Sequence, residues 1–150
     1  MSLPAEALPR PANDVERTAQ VFGLKRPPQS LREIAEHVAR MPIAKGMQDV
    51  LNRGATSSEA FSLIIARRTY DHRRQRRQPF SLDQAERAVT LVNMLVMAER
   101  VFGDLEKAQR WLRSANPHFD GASRIALLRS MLGARELEEE LIRIDEGYFA

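Results

Sequence analysis

Between Val89 and Phe102 the chain sets Val89, Leu91, Val92, Met94, Leu95, Val96, Met97, Ala98, Val101 and Phe102 on more than one face of any helix drawn through them. Ser81-x-x-Gln84 ahead of this run is a capping-box pattern and Gly103 behind it is a stop, so the spacing predicts one long helix ending before Gly103. A helix lying on a surface needs a single apolar stripe. This one calls for neighbours on both sides, as the spine of the monomer or partly within a self-association surface. No period-2 alternation and no hairpin turn signal occurs elsewhere, so the expected fold class is all-α.

Shorter helices are expected on both sides of the spine. Five of the eight prolines fall in the first 28 residues, which predicts a loosely ordered arm over residues 1–29 with at most a short helix near Asp14–Phe22. Ser30-x-x-Glu33 opens a helix carrying Leu31, Ile34, Ala35 and Val38. Met47, Val50 and Leu51 mark a second, closed by Gly54, and Ser57 or Ser58 can cap a third with Ala60, Phe61, Leu63, Ile64 and Ile65. After the spine, Asp104 can cap a helix striped by Leu105, Ala108, Trp111 and Leu112, with Trp111 expected in the core. Asn116–Gly121 breaks it. Ser123 can cap a helix through Ile125–Leu128, and a last helix is expected from about Ala134 to Gly147. Glu136, Glu138, Glu139 and Glu140 would then lie in its first turn, where the helix dipole favours them. The expected division is an arm at 1–29, a helical domain at 30–97 and a second helical domain at 98–150.

The stretch Ala66–Gln78, ARRTYDHRRQRRQ, holds six arginines, one histidine and a single carboxylate, Asp71, in thirteen residues. Charge is divided unevenly along the chain. Residues 1–97 carry 15 Lys/Arg against 10 Asp/Glu, whereas residues 98–150 carry 8 against 10. A helix that needs only solubility mixes its signs, so this one asks for a polyanion. A helix, a tight break and a shorter arginine-rich helix form a helix-turn-helix arrangement, whose second helix enters the major groove. Tyr70 is the one large residue able to hold that helix against Phe61, Ile64 and Ile65. With Tyr70 inward, Arg68, His72, Gln75 and Arg76 turn outward. Arg67 and Arg68 stand in the first turn, where side chains reach base edges, and arginine can donate twice to guanine. Thr69, Arg73, Arg74, Arg76 and Arg77 suit phosphate contacts, and with His72 complete the expected DNA-binding set.

Other classes of function find no support. There is no cysteine, which excludes disulfides and thiolate metal sites. No run approaches the ~18 apolar residues of a membrane span and no leader pattern stands at the front, so a cytoplasmic protein is expected. His37, His72 and His118 sit in separate elements, and no Gly-rich phosphate loop or nucleophile–base order occurs. No metal, no cofactor and no catalysis are expected.

Ala98–Ala150 closely resembles the toxin-binding domain of the Xre/MbcA/ParS antitoxin family. The resemblance is carried by VFGD at Val101–Asp104, KAxxWL at Lys107–Leu112, NPxFxG at Asn116–Gly121, Leu127–Leu128, Gly133 and LxRIxxGYF from Leu141 to Phe149. RRTYDHRRQ and FSLDQAER resemble that family's arginine helix and the start of its linking helix, extending the likeness to about Ser30. Two positions depart from the pattern: Ile125 stands where members often have proline, and Ala66 where a capping serine is usual.

The resemblance implies an antitoxin of a type II toxin–antitoxin pair. Its partner would be a RES-domain toxin that consumes NAD or transfers ADP-ribose from it. The C-terminal domain would cover the toxin's active-site mouth while the N-terminal helical domain binds operator DNA and represses the operon, as a homodimer or in a larger complex with the toxin. The expected toxin contacts are Phe119, Glu139, Ile142, Arg143, Glu146, Gly147, Tyr148, Phe149 and Ala150. Tyr148 and Phe149 combine large apolar area with few rotors, which suits either a partner's pocket or a staple on the last helix. Phe119 suits a core plug or a partner contact. A freestanding regulator whose C-terminal domain dimerises, and a pure inhibitor whose arginines only solvate it, are the competing readings.

Overall fold

The computed structural model describes residues 13–118 and 120–147. These residues are all-α, with an isolated bridge between Ala115 and Ser123 as their only β pairing. In chain order the elements are α1 (Asp14–Val21), α2 (Leu31–Val38), α3 (Ile43–Arg53), α4 (Ser57–Leu63), α5 (Arg67–Gln75), α6 (Leu82–Phe102) and α7 (Leu105–Arg113). A 3-10 helix (Arg124–Arg129) and α8 (Met131–Asp145) complete them.

Helix α6 is the spine. Ser81 caps it in a reciprocal box with Gln84, and Gly103 ends it in the left-handed conformation at φ 74°. Its 21 residues span about 31 Å. Every residue from Ala88 to Ala98 except Thr90 is buried. Helices α1, α2, α3, α4, α7 and α8 all pack on it. The apolar surplus predicted from the sequence is therefore consumed within one chain, and no self-association is needed to cover it. No helix among the described residues is long and apolar enough to cross a membrane.

Three expected helix boundaries are corrected, whereas the short helix expected near Asp14–Phe22 stands as α1: Asn13 caps it, and Thr18, Ala19 and Phe22 are buried. Thr18 Oγ1 bonds the Asp14 carbonyl at 2.7 Å and Asn93 Oδ1 of α6 at 3.2 Å, satisfying polar groups that would be costly to bury alone. The cap of α4 is Thr56 rather than Ser57 or Ser58, because only Thr56 has a glutamate at the third helical position to close the box. Arg124–Arg129 winds as a 3-10 helix, and Ser123 makes no capping bond. Finally, α8 begins at Met131, capped by Ser130 through the Gly133 N–H at 2.9 Å. Its first turn then contains no acidic residue, so the dipole does not explain Glu136, Glu138, Glu139 and Glu140.

The two halves of the chain share α6 and are further tied by ion pairs. Arg100, near the end of α6, donates to Asp14 of α1 at 2.9 and 3.0 Å and to Asp145 of α8 at 2.9 Å. Its hydrogen bonds to Asp14, then to Asp145, hold its guanidinium pKa above the ordinary arginine value. Arg53 of α3 pairs with Glu99 of α6. Its own pKa is lowered, first by burial and then by the nearby charge of Arg17.

Candidate functional site: an exposed arginine helix and the outer face of the last helix

Tyr70 anchors α5 as expected. It is 7% exposed, and its ring meets Phe61 of α4 at 5.5 Å between centroids with a 60° tilt. With that one side chain inward, Arg67, Arg68, Thr69, Asp71, His72, Arg74 and Gln75 are exposed, and Arg73 is half-buried. Arg67 lies over the Phe61 ring, 5.5 Å from its centroid, which fixes the stem at the start of α5. Arg73 Nη1 donates to the Pro79 carbonyl at 3.2 Å and so braces the following turn. Among the described residues no arginine of α5 forms an ion pair, although nine such pairs occur elsewhere in the chain. No side chain caps α5 either, because Ala66 has no acceptor to offer. Its first-turn N–H groups and the positive end of its dipole thus add to Arg67 and Arg68.

Arg76 and Arg77 lie beyond the helix, which ends at Gln75. The N–H of Arg77 bonds the Arg74 carbonyl at 3.1 Å and the N–H of Gln78 bonds that of Arg73 at 2.9 Å. This is a Schellman ending with Arg77 in the left-handed position at φ 55°, where glycine is the usual occupant. A side chain there costs about 1 kcal/mol. The structure therefore keeps a cation at a position where backbone energetics favour none.

The second surface is the outer face of α8. Leu137 and Leu141 are fully buried, Gly133 is buried, and the 3-10 helix packs alongside. On the opposite side Glu139, Ile142, Arg143 and Glu146 are exposed together, so the structure brings these predicted contacts onto one face, with Gly147 at its end. Phe119, Tyr148, Phe149 and Ala150 lie outside the described residues. Glu140 is different, since it accepts from Arg124 Nε at 3.1 Å. Sequence reading missed the two largest exposed apolar groups, Met131 at 88% and Leu132 at 72% exposure, beside Ile142 at 39%. The signal was present: Ser130 three residues before Gly133 starts the helix early enough to put Leu132 on the face of Glu139 and Arg143.

Trp111 is half-buried rather than central. Phe102 packs on it at 5.2 Å, and the Arg124 guanidinium covers it 4.6 Å from the ring centroid. Arg124 also donates to Ser114 Oγ at 2.6 Å, closing the base of the Asn116–Gly121 loop. On the other side of α7, Arg113 donates to both carboxylate oxygens of Glu59, at 3.1 and 3.0 Å, and to the Gly54 carbonyl at 2.8 Å. Burial works to raise the Glu59 pKa, but hydrogen bonds from Arg113 and from Thr56, with the Arg113 charge, outweigh it and hold the carboxyl below the usual range.

A glutamate whose folded pKa is depressed stabilises the fold fully above its unfolded pKa, and loses that contribution as pH falls through the folded value. Wild type is accordingly expected to be more stable than Glu59→Gln at neutral pH, with the two converging as the solution is acidified below the ordinary glutamate range. Urea unfolding across a pH series measures the difference, and parallel pH curves would rule the pairing out as a contributor.

The described residues thus define an all-α protein with an arginine helix exposed on one half and an acidic helix bearing unpartnered apolar residues on the other. Residues 97–147 match the family model of the antitoxin Xre/MbcA/ParS C-terminal toxin-binding domain. The protein named antitoxin Xre in Pseudomonas putida is 35% identical over 96 residues, which is 64% of this chain and 60% of that one. The chain spans about 60% of that curated relative's length. The matched segment is the one in which the motifs of that family stand.

Proposed function

We propose that this chain is the antitoxin of a type II toxin–antitoxin pair, with two surfaces assigned to two partners. The outer face of α8, from Leu132 through Glu139, Ile142, Arg143 and Glu146 to Gly147, together with Tyr148, Phe149 and Ala150, covers the active-site mouth of a cytoplasmic RES-domain toxin. Phe119 joins this contact set. Neutralisation is steric, with buried apolar contacts supplying affinity and no chemistry required. Arg67, Arg68, Thr69, His72, Arg73, Arg74, Arg76 and Arg77 bind the operator of the chain's own operon. One nine-residue helix reaches too few base pairs for useful specificity, so repression uses a homodimer or a larger complex with the toxin.

The observation that carries the toxin half is the matched toxin-binding domain, on which Met131, Leu132 and Ile142 are exposed without cover. What supports the DNA half is an arginine helix with no ion pair of its own. Co-purification with the product of the adjacent gene, followed by mass measurement, tests the first. A freestanding regulator that dimerises through α8 would instead give a homodimer with no second protein.

Leu132→Asp, and separately Tyr148→Ala with Phe149→Ala, are expected to weaken toxin binding roughly tenfold or more, the scale of losing a hot-spot side chain. Promoter binding should be unchanged. Survival of toxin-co-expressing cells is the measurement, and full protection by both substituted chains would remove α8 and the residues after it from the interface.

A further inference from the structure

Arg113 belongs to the segment matched as toxin-binding, yet everything it grips belongs to the other half of the chain. Its fork takes both carboxylate oxygens of Glu59 and the Gly54 carbonyl. Glu59 is the residue that completes the capping box of α4, its Oε1 accepting from the Thr56 N–H at 2.9 Å. Gly54 is the left-handed residue, φ 122°, that ends α3 and turns the chain toward α4. Gln109, one turn earlier on α7, donates to the same Gly54 carbonyl at 3.3 Å. So α7 holds both ends of the α3–α4 corner. Helix α4 in turn carries Phe61, on which Tyr70 and Arg67 of α5 rest.

On the far side of α7, Trp111 and Ser114 are held by Arg124, and Arg124 is held by Glu140 of α8. Helix α7 thus joins two sets of contacts, one reaching α8 and the other the first helix of the arginine-helix pair. We propose that Arg113 is a positioning residue for nucleic-acid binding: the C-terminal domain, through this fork, sets the pose in which α4 presents α5 to the duplex. The proposal rests on the DNA reading above and deepens it. It makes the C-terminal domain part of the DNA-binding apparatus while contributing no contact to DNA. A bidentate guanidinium is suited to this task because it fixes direction as well as distance, which a lysine ammonium does not.

The test is fluorescence-anisotropy titration of the full chain against a labelled duplex from its own upstream promoter region and a scrambled duplex of equal length, over a salt series. Arg113→Ala is expected to lower promoter affinity about three- to tenfold. The slope of log affinity against log salt should stay unchanged, because no phosphate contact is lost. Arg113→Lys should recover part of the affinity. Arg26→Ala, which removes an exposed pair with Glu33 remote from α4, controls for lost charge and should bind as wild type does. Hydrogen exchange should quicken in α4 and α5 of Arg113→Ala and not in α2, while the melting profile stays cooperative.

Wild-type affinity in Arg113→Ala, alongside weakened binding in Arg68→Ala, would overturn this inference and leave the DNA reading standing. A salt slope lowered by about one would overturn it too, by making Arg113 a direct phosphate contact. Equal losses in Arg26→Ala and Arg113→Ala would reduce the effect to bulk charge and count against positioning. If wild type fails to distinguish promoter from scrambled duplex, both the reading and the inference fall.

Discussion

Arg68→Ala is expected to weaken promoter binding by about 1–3 kcal/mol and to erode the preference for promoter over scrambled duplex. Arg68 is the second residue of α5, exposed, without an acidic partner, and next to N–H groups that no side chain caps. Fixing Tyr70 in the core points it away from the body of the protein. Arg74, a turn and a half further on, is also exposed but lies away from the end that meets base edges. Arg74→Ala should therefore lower affinity for both duplexes alike and reduce the salt slope by about one. Separating the two requires a titration at several ionic strengths. Should both substitutions act identically on promoter and scrambled DNA, α5 would be a phosphate-binding rod with no reading end.

Much of this architecture was legible because helix signals are local. The serine cap at Ser30, the box at Ser81, the aspartate cap at Asp104 and the stops at Gly54 and Gly103 each lie within three residues of what they control. Tyr70 was legible as an anchor because it is the lone large apolar group in a polar segment. The misses have non-local causes. The short helix α1 was expected, but its packing was not: Thr18 meets Asn93 and Asp14 meets Arg100, pairs 75 and 86 residues apart, and neither is visible in a proline-rich composition. Trp111 looked like core by size, but its outer face is closed by the Arg124 guanidinium, a partner no hydrophobic pattern announces. The site divides in the same way. The arginines of α5 declare themselves by charge, whereas Arg113 is one of eight cations in residues 98–150 and gains its meaning only from Glu59 and Gly54.

Gly133→Ala is expected to destabilise the C-terminal domain by about 1–3 kcal/mol and to impair toxin neutralisation while sparing promoter binding. Intrinsic propensity argues the other way, since alanine improves on glycine inside a helix by about 1 kcal/mol. Nor does the backbone require glycine here, as it does at Gly54 and Gly103, for Gly133 is not among the positive-φ residues. Space decides the sign. A Cβ at this position would be driven into the carbonyl oxygen of Leu127 and would stand 2.9 Å from its carbonyl carbon and from Ser130 Oγ, the cap of α8. Leu127 is backbone of the 3-10 helix and cannot swing aside as a side-chain tip would, so α8 must move away from it. That shift carries Leu132 and Ile142, with the whole outer face, out of register with a partner shaped to meet them. Glu140 lies about two turns further along the same face as Gly133, so its pair with Arg124 is strained too, but Arg113 of α7 keeps its own grip on Glu59 and Gly54, which is why DNA affinity should survive. Chemical denaturation of Gly133→Ala measures the first effect and co-expression survival the second. A substituted protein as stable as wild type would mean that the 3-10 helix yields more readily than its packing against Gly133 implies, and the close approach would then have no part in shaping the toxin-facing surface.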